Sequence, residues 1–137
     1  MISYSDVILF ILSKANQKVY GTFKMRLLPY GLTPMQALVL HALYEEENLS
    51  AGELGRRLAL DSATLSGVLD RMTEGGWIIK NQKEDRRVLN ISLADKSRRC
   101  REKFLRETEE LNQEMLSIFS TEERLLLVRM LKDLRKP

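Results

Sequence analysis

The chain has 137 residues, 44% of them apolar and 30% charged, with a formal net charge of +3. That length suits one compact unit with room for a core. No apolar run approaches the roughly 18 residues a membrane span needs, and the single cysteine, Cys100, excludes an intrachain disulfide framework and fits a reducing compartment. These features lead us to expect a soluble cytoplasmic protein with no membrane partner.

The apolar start is interrupted by Asp6 and carries no basic leader, so it reads as an amphipathic helix rather than a signal peptide. This first helix is expected over about residues 5–28, with Val7, Ile8, Ile11, Leu12, Ala15, Val19, Phe23 and Leu27 at three- and four-residue spacing. Pro29-Tyr30-Gly31 ends it. The second helix opens on Thr33-Pro34-Met35-Gln36, a capping box with proline at the first helical position. Leu38, Val39, Ala42 and Leu43 are its expected buried face. Ser50-Ala51-Gly52-Glu53 reads as a second capping box, opening a short third helix with Leu54 and Leu58 inward. Ala59-Leu60 is the turn, and Asp61 caps a fourth helix that runs to about Glu74.

That fourth helix has two faces. Leu65, Val68, Leu69 and Met72 form one apolar stripe; Ala63, Thr64, Ser66, Gly67, Asp70 and Arg71 lie on the other side. Gly75-Gly76 stops the helix. A strand starts at Trp77-Ile78-Ile79, and a return strand alternates Leu89, Ile91 and Leu93 against Val88, Asn90 and Ser92, with Glu84-Asp85-Arg86-Arg87 at the hairpin tip. A fifth helix is expected without interruption over about residues 95–119, and Ser120-Thr121-Glu122-Glu123 restarts a sixth through another capping box. Leu125, Leu127, Val128, Leu131 and Leu134 give this last helix an almost continuous apolar surface.

The charge is unevenly spread. Residues 77–101 hold eight basic side chains against three acidic ones, while acidic groups gather at Glu45-Glu46-Glu47 and between Glu107 and Glu114. A basic face on a nearly balanced chain suits a polyanion. The fourth helix is smooth enough on its outer side to lie in a DNA major groove, about 12 Å wide. There Ser62, Thr64 and Ser66 are expected to donate to base edges or phosphates, while Ala63 and the Thr64 methyl can touch thymine methyls. Arg86 and Arg87 at the hairpin tip, with Lys83 beside them, suit the minor groove, and Asp85 is expected to brace the hairpin by pairing with Arg71 or Arg87. One histidine and one cysteine far apart give neither a metal-ligand spacing nor a catalytic dyad, so no enzyme is expected. The rival to a DNA reader is a winged helix used as a protein–protein interaction module.

The order helix, turn, helix, charged hairpin resembles the MarR family of winged helix-turn-helix regulators over nearly the whole chain. The matching landmarks are Gly31-Leu32-Thr33-Pro34-Met35-Gln36, Leu49-Ser50-Ala51-Gly52-Glu53-Leu54, Leu60-Asp61-Ser62-Ala63-Thr64-Leu65-Ser66, Leu69-Asp70-Arg71-Met72, Gly76-Trp77-Ile78 and Glu84-Asp85-Arg86-Arg87. The resemblance implies a mainly α fold with a small β-hairpin wing: a dimerisation helix over 1–30, the DNA-binding lobe over 31–94 and further dimerisation helices over 95–137. It implies a homodimeric repressor or activator on double-stranded DNA. Its expected contacts are Ser50, Ser62, Ala63, Thr64, Ser66, Gly67, Arg71, Lys83, Arg86 and Arg87, with Arg87 as the minor-groove arginine.

Two departures stand out. Leu93-Ala94-Asp95-Lys96-Ser97-Arg98 lacks the glycine usual at the start of the fifth helix, and Gly67 stands where a longer side chain is common. The amount of apolar surface on the first and sixth helices points independently to a dimer. Two-fold symmetry would set the recognition helices about 34 Å apart on a palindromic operator. No cofactor is expected beyond a small-molecule effector such as a small aromatic acid. The resemblance puts its cleft near Asn16, Tyr20, Lys24, Arg26, Tyr30, His41 and Tyr44. Redox members of the family use a cysteine in the first helix; this chain has none there, and Cys100 is expected to be structural.

Overall fold

A computed structural model of the protein describes residues 1–82 and 88–137. The expectations placed on Lys83, Glu84, Asp85, Arg86 and Arg87 lie outside the described residues. In chain order come a 3-10 turn (Tyr4–Asp6), α1 (Ile8–Leu27), a second 3-10 turn (Leu28–Tyr30), α2 (Pro34–Glu45) and β1 (Leu49–Ser50). The helix-turn-helix pair α3 (Ala51–Leu58) and α4 (Ser62–Glu74) follows, then β2 (Ile78–Gln82), β3 (Leu89–Leu93), α5 (Asp95–Arg99), α6 (Arg101–Met115) and α7 (Thr121–Leu134). This is the mainly α winged-helix order read from the sequence. The chain forms two compact units, Met1–Lys103 and Phe104–Pro137.

The helix starts follow local chemistry. At α2 the Gln36 amide donates to Thr33 Oγ1 at 3.2 Å and the Thr33 amide donates to Gln36 Oε1 at 3.0 Å. The same reciprocal pair forms at α7 between Ser120 and Glu123. The box expected at Ser50 forms only by half. The Glu53 amide donates to Ser50 Oγ at 3.1 Å, but the Glu53 carboxylate takes the Ser50 hydroxyl at 3.2 Å instead of its amide. Ser50 is also the last residue of β1, where its backbone faces Asn90 of β3.

That short strand corrects a second expectation. The expected strand pair β2 and β3 is present, but β1 joins it on the other side of β3, making a three-stranded antiparallel sheet in the order β1-β3-β2. Leu49 lies opposite Ile91, and Ile78 lies opposite Leu93. The sheet joins the helical core of the first unit through Leu49, Ile78, Ile91 and Leu93, all buried alongside Leu40, Leu43, Leu54, Leu65, Leu69 and Met72. On α2 the buried face includes Leu40, while Leu38, expected inside, is 48% exposed. Val39 and Leu40 already fill that side, and 100° per residue turns Leu38 outward.

The fifth helix is not one rod. It breaks at Cys100, whose backbone sits at φ −94° and ψ 4°, and it stops at Met115. The cause is tertiary. The Tyr44 hydroxyl donates to the Ser97 carbonyl at 2.6 Å, a carbonyl that lies inside the helical ladder, and the buried Ser97 hydroxyl donates to the Trp77 carbonyl at 2.5 Å. A side chain bonded into the ladder is a recognised source of a kink. Arg101 adds a bond to the Tyr44 carbonyl at 3.0 Å, and its guanidinium lies 5.7 Å from the Tyr44 ring centre. Burial is the main reason the Tyr44 phenol is pushed above its ordinary range; neighbouring Cys100 adds to the shift.

Each unit leaves an apolar helix face uncovered. In the first, Leu27 is the only buried residue of α1, and Ile8, Leu9, Ile11 and Val19 are exposed, Leu9 by 73%. In the second, α6 buries Phe104, Thr108 and Leu111, whereas α7 buries nothing and exposes Leu125, Leu126, Val128, Met130, Leu131 and Leu134.

Removing the Tyr44 hydroxyl (Tyr44→Phe) is expected to lower folding stability by about 1–2 kcal/mol, because it deprives a buried carbonyl of a donor. Urea denaturation followed by far-ultraviolet circular dichroism measures this, and an unchanged midpoint would contradict the role given to this bond.

Candidate nucleic-acid interface

The turn between α3 and α4 is made without glycine at its left-handed position. Ala59 occupies φ 53°, ψ 46°, and the Leu60 amide returns to the Gly55 carbonyl at 2.9 Å. An L-residue there costs roughly 1–2 kcal/mol, which the buried Leu54 and Leu65 on either side offset. The Asp61 side chain then caps α4, accepting from the Thr64 amide at 2.8 Å through Oδ1. Its second oxygen, Oδ2, accepts from the Thr64 hydroxyl at 2.9 Å. The amide first and the hydroxyl second hold the Asp61 carboxyl below the usual carboxylate range.

From this start α4 runs 13 residues, about 20 Å at 1.5 Å per residue. Leu65, Leu69 and Met72 are buried. Ser62, Ala63, Thr64, Ser66, Gly67, Asp70 and Arg71 are all exposed; by helix periodicity Ala63, Gly67, Asp70 and Arg71 lie opposite the buried stripe, with Thr64 on one flank and Ser62 and Ser66 on the other. A Cβ placed on Gly67 would meet nothing within 4 Å, so no packing inside the chain demands a glycine there. Gly76 is different: its φ of 75° lies in the left-handed region, and the Trp77 amide returns to the Met72 carbonyl at 2.9 Å to close the helix.

The wing strands are tied to this helix. Lys80 of β2 pairs with Asp70 of α4. Ser62, Leu65, Ser66 and Leu69 of α4, Gly52, Gly55 and Arg56 of α3, and Lys80 and Leu89 of the wing surround a cleft of about 360 Å³. At the base of the wing, Lys96 lies 4.2 Å from the Trp77 ring centre and donates to the Gly75 carbonyl. Asn81 Nδ2 reaches Ser92 Oγ across the strands at 2.9 Å. On the other edge Glu47 accepts from the Leu93 amide at 3.1 Å and binds both guanidinium nitrogens of Arg98. Ser50 is half-buried at the N-terminus of α3.

Sequence reading missed the ties that span many residues: Lys80 to Asp70, Glu47 to Arg98 and Tyr44 to Ser97. It also assigned the Thr64 hydroxyl to DNA as a donor, whereas the hydroxyl proton is directed at Asp61. The signal for that contact was present, since an acidic N-cap followed three residues later by threonine can bond side chain to side chain.

The residues expected to form an effector cleft are scattered in character. Asn16, Tyr20, Lys24 and Arg26 are exposed on α1. Tyr30 is half-buried, its ring centre 6.5 Å from that of Trp77. His41 is half-buried on α2, and desolvation lowers its pKa against an opposing pull from Glu45. Tyr44 lines a cavity of about 220 Å³ with Leu43, Glu47, Leu93, Arg98 and Arg101. Among the described residues no group of three or more His, Cys, Asp or Glu side chains could hold a metal ion, and no helix is long and apolar enough to cross a membrane.

Comparison with known proteins agrees with this architecture. The MarR family profile matches residues 30–88, from the turn before α2 to the residue before β3. The transcriptional regulator TtmR of Methylorubrum extorquens is 42% identical over 77 residues. That match covers 56% of this chain and 40% of TtmR, so the chain spans well under two thirds of its relative's length. A crystal structure of a probable transcriptional regulator from Pseudomonas aeruginosa superposes with a TM-score of 0.88 at 34% identity, covering 96% of this chain and 99% of that one. BpsR of Bordetella bronchiseptica shares the fold with a TM-score of 0.91 at 23% identity, covering 100% of this chain and 99% of its own. The helix-turn-helix, the wing strands behind it and these likenesses converge: the chain belongs to the MarR family of transcriptional regulators.

Proposed function

We propose that the protein is a homodimeric repressor that reads a palindromic operator in double-stranded DNA and releases it in response to a small aromatic acid. The observation that carries the DNA reading is the outer face of α4. Nine of the 13 residues of α4 are exposed, and of these only Arg71 and the last residue, Glu74, are larger than aspartate, on a helix whose other side is locked into the core. Such a face fits a major groove without steric cost. Ser62, Ala63, Thr64, Ser66 and Gly67 would face base edges. Arg71 would meet the backbone, and the Ser50 end of α3 would meet a phosphate. Lys83, Arg86 and Arg87 are assigned to the wing contact from their place in the sequence, Arg87 to the minor groove.

The uncovered apolar faces of α1 and α7 support the dimer. Contiguous exposed apolar surface of this kind marks association, and a second copy related by two-fold symmetry would bury it on both chains at once. Two recognition helices about 34 Å apart would then face successive turns of one side of the duplex. The effector reading has weaker footing in the residues and draws on the relatives: BpsR is a protein whose DNA binding is regulated by 6-hydroxynicotinic acid. Here Lys24 or Arg26 would hold the carboxylate, and His41 or a tyrosine (Tyr20, Tyr30 or Tyr44) would meet a phenol, with Asn16 nearby. A regulator of this kind works in the cytoplasm, where the DNA is. Release would follow if the acid binds better to a dimer whose recognition helices are wrongly spaced for the operator.

Binding-site selection on random duplexes with the purified protein tests this reading, and an inverted repeat is the expected product. Affinity for the selected duplex should fall by about 10³-fold or more between roughly 50 and 200 mM salt. Negligible duplex binding even in dilute salt would instead favour a protein–protein interaction module. Ser66→Glu should abolish binding while leaving the thermal midpoint within a few degrees, because the position is exposed. Arg87→Ala should weaken binding with the fold intact, and wild-type affinity in that variant would remove the wing from the interface. Analytical ultracentrifugation should give twice the chain mass; a monomer at micromolar concentration would overturn the dimer.

A further inference from the structure

The Asp61 side chain does two things at once. Oδ1 takes the Thr64 amide at 2.8 Å and Oδ2 takes the Thr64 hydroxyl at 2.9 Å. An ionised carboxylate only accepts hydrogen bonds, so the hydrogen on the second bond must belong to the threonine. The hydroxyl proton therefore points back along the helix toward its N-cap, and the oxygen turns its lone pairs outward. Thr64 is exposed, on the same side of α4 as Gly67 one turn later.

We propose that Asp61 fixes the polarity with which Thr64 reads DNA, presenting its hydroxyl as an acceptor and not as a donor. The inference rests on the reading that α4 enters the major groove. In that groove the donors are the amino groups of adenine N6 and cytosine N4, while guanine N7 and O6 and thymine O4 accept. Thr64 would thus favour adenine or cytosine beneath it and disfavour a base edge that only accepts. Asp61 touches no base in this scheme; it is a positioning residue acting through Thr64.

The bond should persist in the complex. Its acceptor is charged, and bonds of that kind are about twice as strong as neutral ones. Excluding water from the groove strengthens it further. The paired oxygens also hold the threonine side chain in one orientation, so the ordering cost is met within the free protein. The thymine contact of the Thr64 methyl is unaffected by which way the hydroxyl proton points.

The substitution that isolates this effect is Asp61→Asn. Asparagine is as good an N-cap as aspartate, so α4 keeps its start. Its amide oxygen takes the Thr64 amide, which leaves the NH₂ group facing Thr64 Oγ1 as a donor. The hydroxyl proton is then released toward the duplex, and the readout polarity inverts.

The experiment is binding-site selection with four full-length proteins: wild type, Thr64→Val, Thr64→Ser and Asp61→Asn. Thr64→Val locates the base position that the hydroxyl reads, where preference should flatten. Wild type and Thr64→Ser should favour adenine or cytosine there by roughly three- to tenfold, the size of one neutral hydrogen bond. Asp61→Asn should shift that position alone toward guanine or thymine. A purely capping or electrostatic role for Asp61 would change affinity across all sequences and leave the preferred base as it was, and that result would overturn the proposal. So would a wild-type preference for guanine or thymine at that position, or a Thr64→Val profile identical to wild type at every position. Either of these leaves the DNA reading standing, whereas failure of wild type to select any duplex would bring down both.

Discussion

The structure turns on the burial of three side chains, Leu65, Leu69 and Met72, along one side of α4. Each contributes roughly 1.5–3 kcal/mol on leaving water. Their spacing of four and three residues keeps the stripe narrow, and a narrow stripe leaves most of the helix circumference free. The free part is kept low: serine, alanine, threonine and glycine hold the first two turns, and the longer Asp70 and Arg71 come only later. A helix anchored by a wide apolar face could not offer such a surface, and one with no anchor would not hold its angle. The helix also needs a fixed start, which Asp61 supplies through the Thr64 amide.

Around that helix the first unit is braced by a few polar ties between distant segments. Lys80 joins the wing to α4 through Asp70, and Lys96 covers the Trp77 ring where α4 gives way to β2. Ser97 is fully buried and couples the Trp77 carbonyl on one side to the Tyr44 hydroxyl on the other. These links matter for a reader of nucleic acid, because wing and helix must reach their grooves together. Exposed pairs such as Lys80 with Asp70 add little stability, and their value is in direction. The buried Ser97 bonds stand differently, since a carbonyl stripped of its donor away from water carries a real penalty.

The break at Cys100 shows how a local pattern yields to a tertiary contact. From Asp95 to Phe119 the sequence reads as one helix, with no proline or glycine to interrupt it. The break falls where Tyr44, more than fifty residues earlier, bonds to the Ser97 carbonyl within the expected helix. The half-formed capping box at Ser50 has the same origin. Its serine and glutamate have the right spacing, but the backbone of Ser50 also belongs to β1, a two-residue strand too short to leave a pattern of its own.

Order along the chain was legible in the residues. Caps at Thr33, Asp61 and Ser120, the stop at Gly75-Gly76, and the alternation from Leu89 to Leu93 mark elements by chemistry that acts over one to four residues. The two-faced nature of α4 was legible for the same reason, since a helix face is a matter of spacing alone. What only the folded chain decided is every property set by partners far apart in sequence: the third strand, the break at Cys100 and the ion pair from Lys80 to Asp70. The direction of the Thr64 hydroxyl lies between the two, because spacing allows the Asp61 bond, the folded geometry forms it, and the ionised carboxylate leaves threonine as the donor. Periodicity names the residues on a surface; the three-dimensional arrangement of donors and acceptors determines what that surface offers.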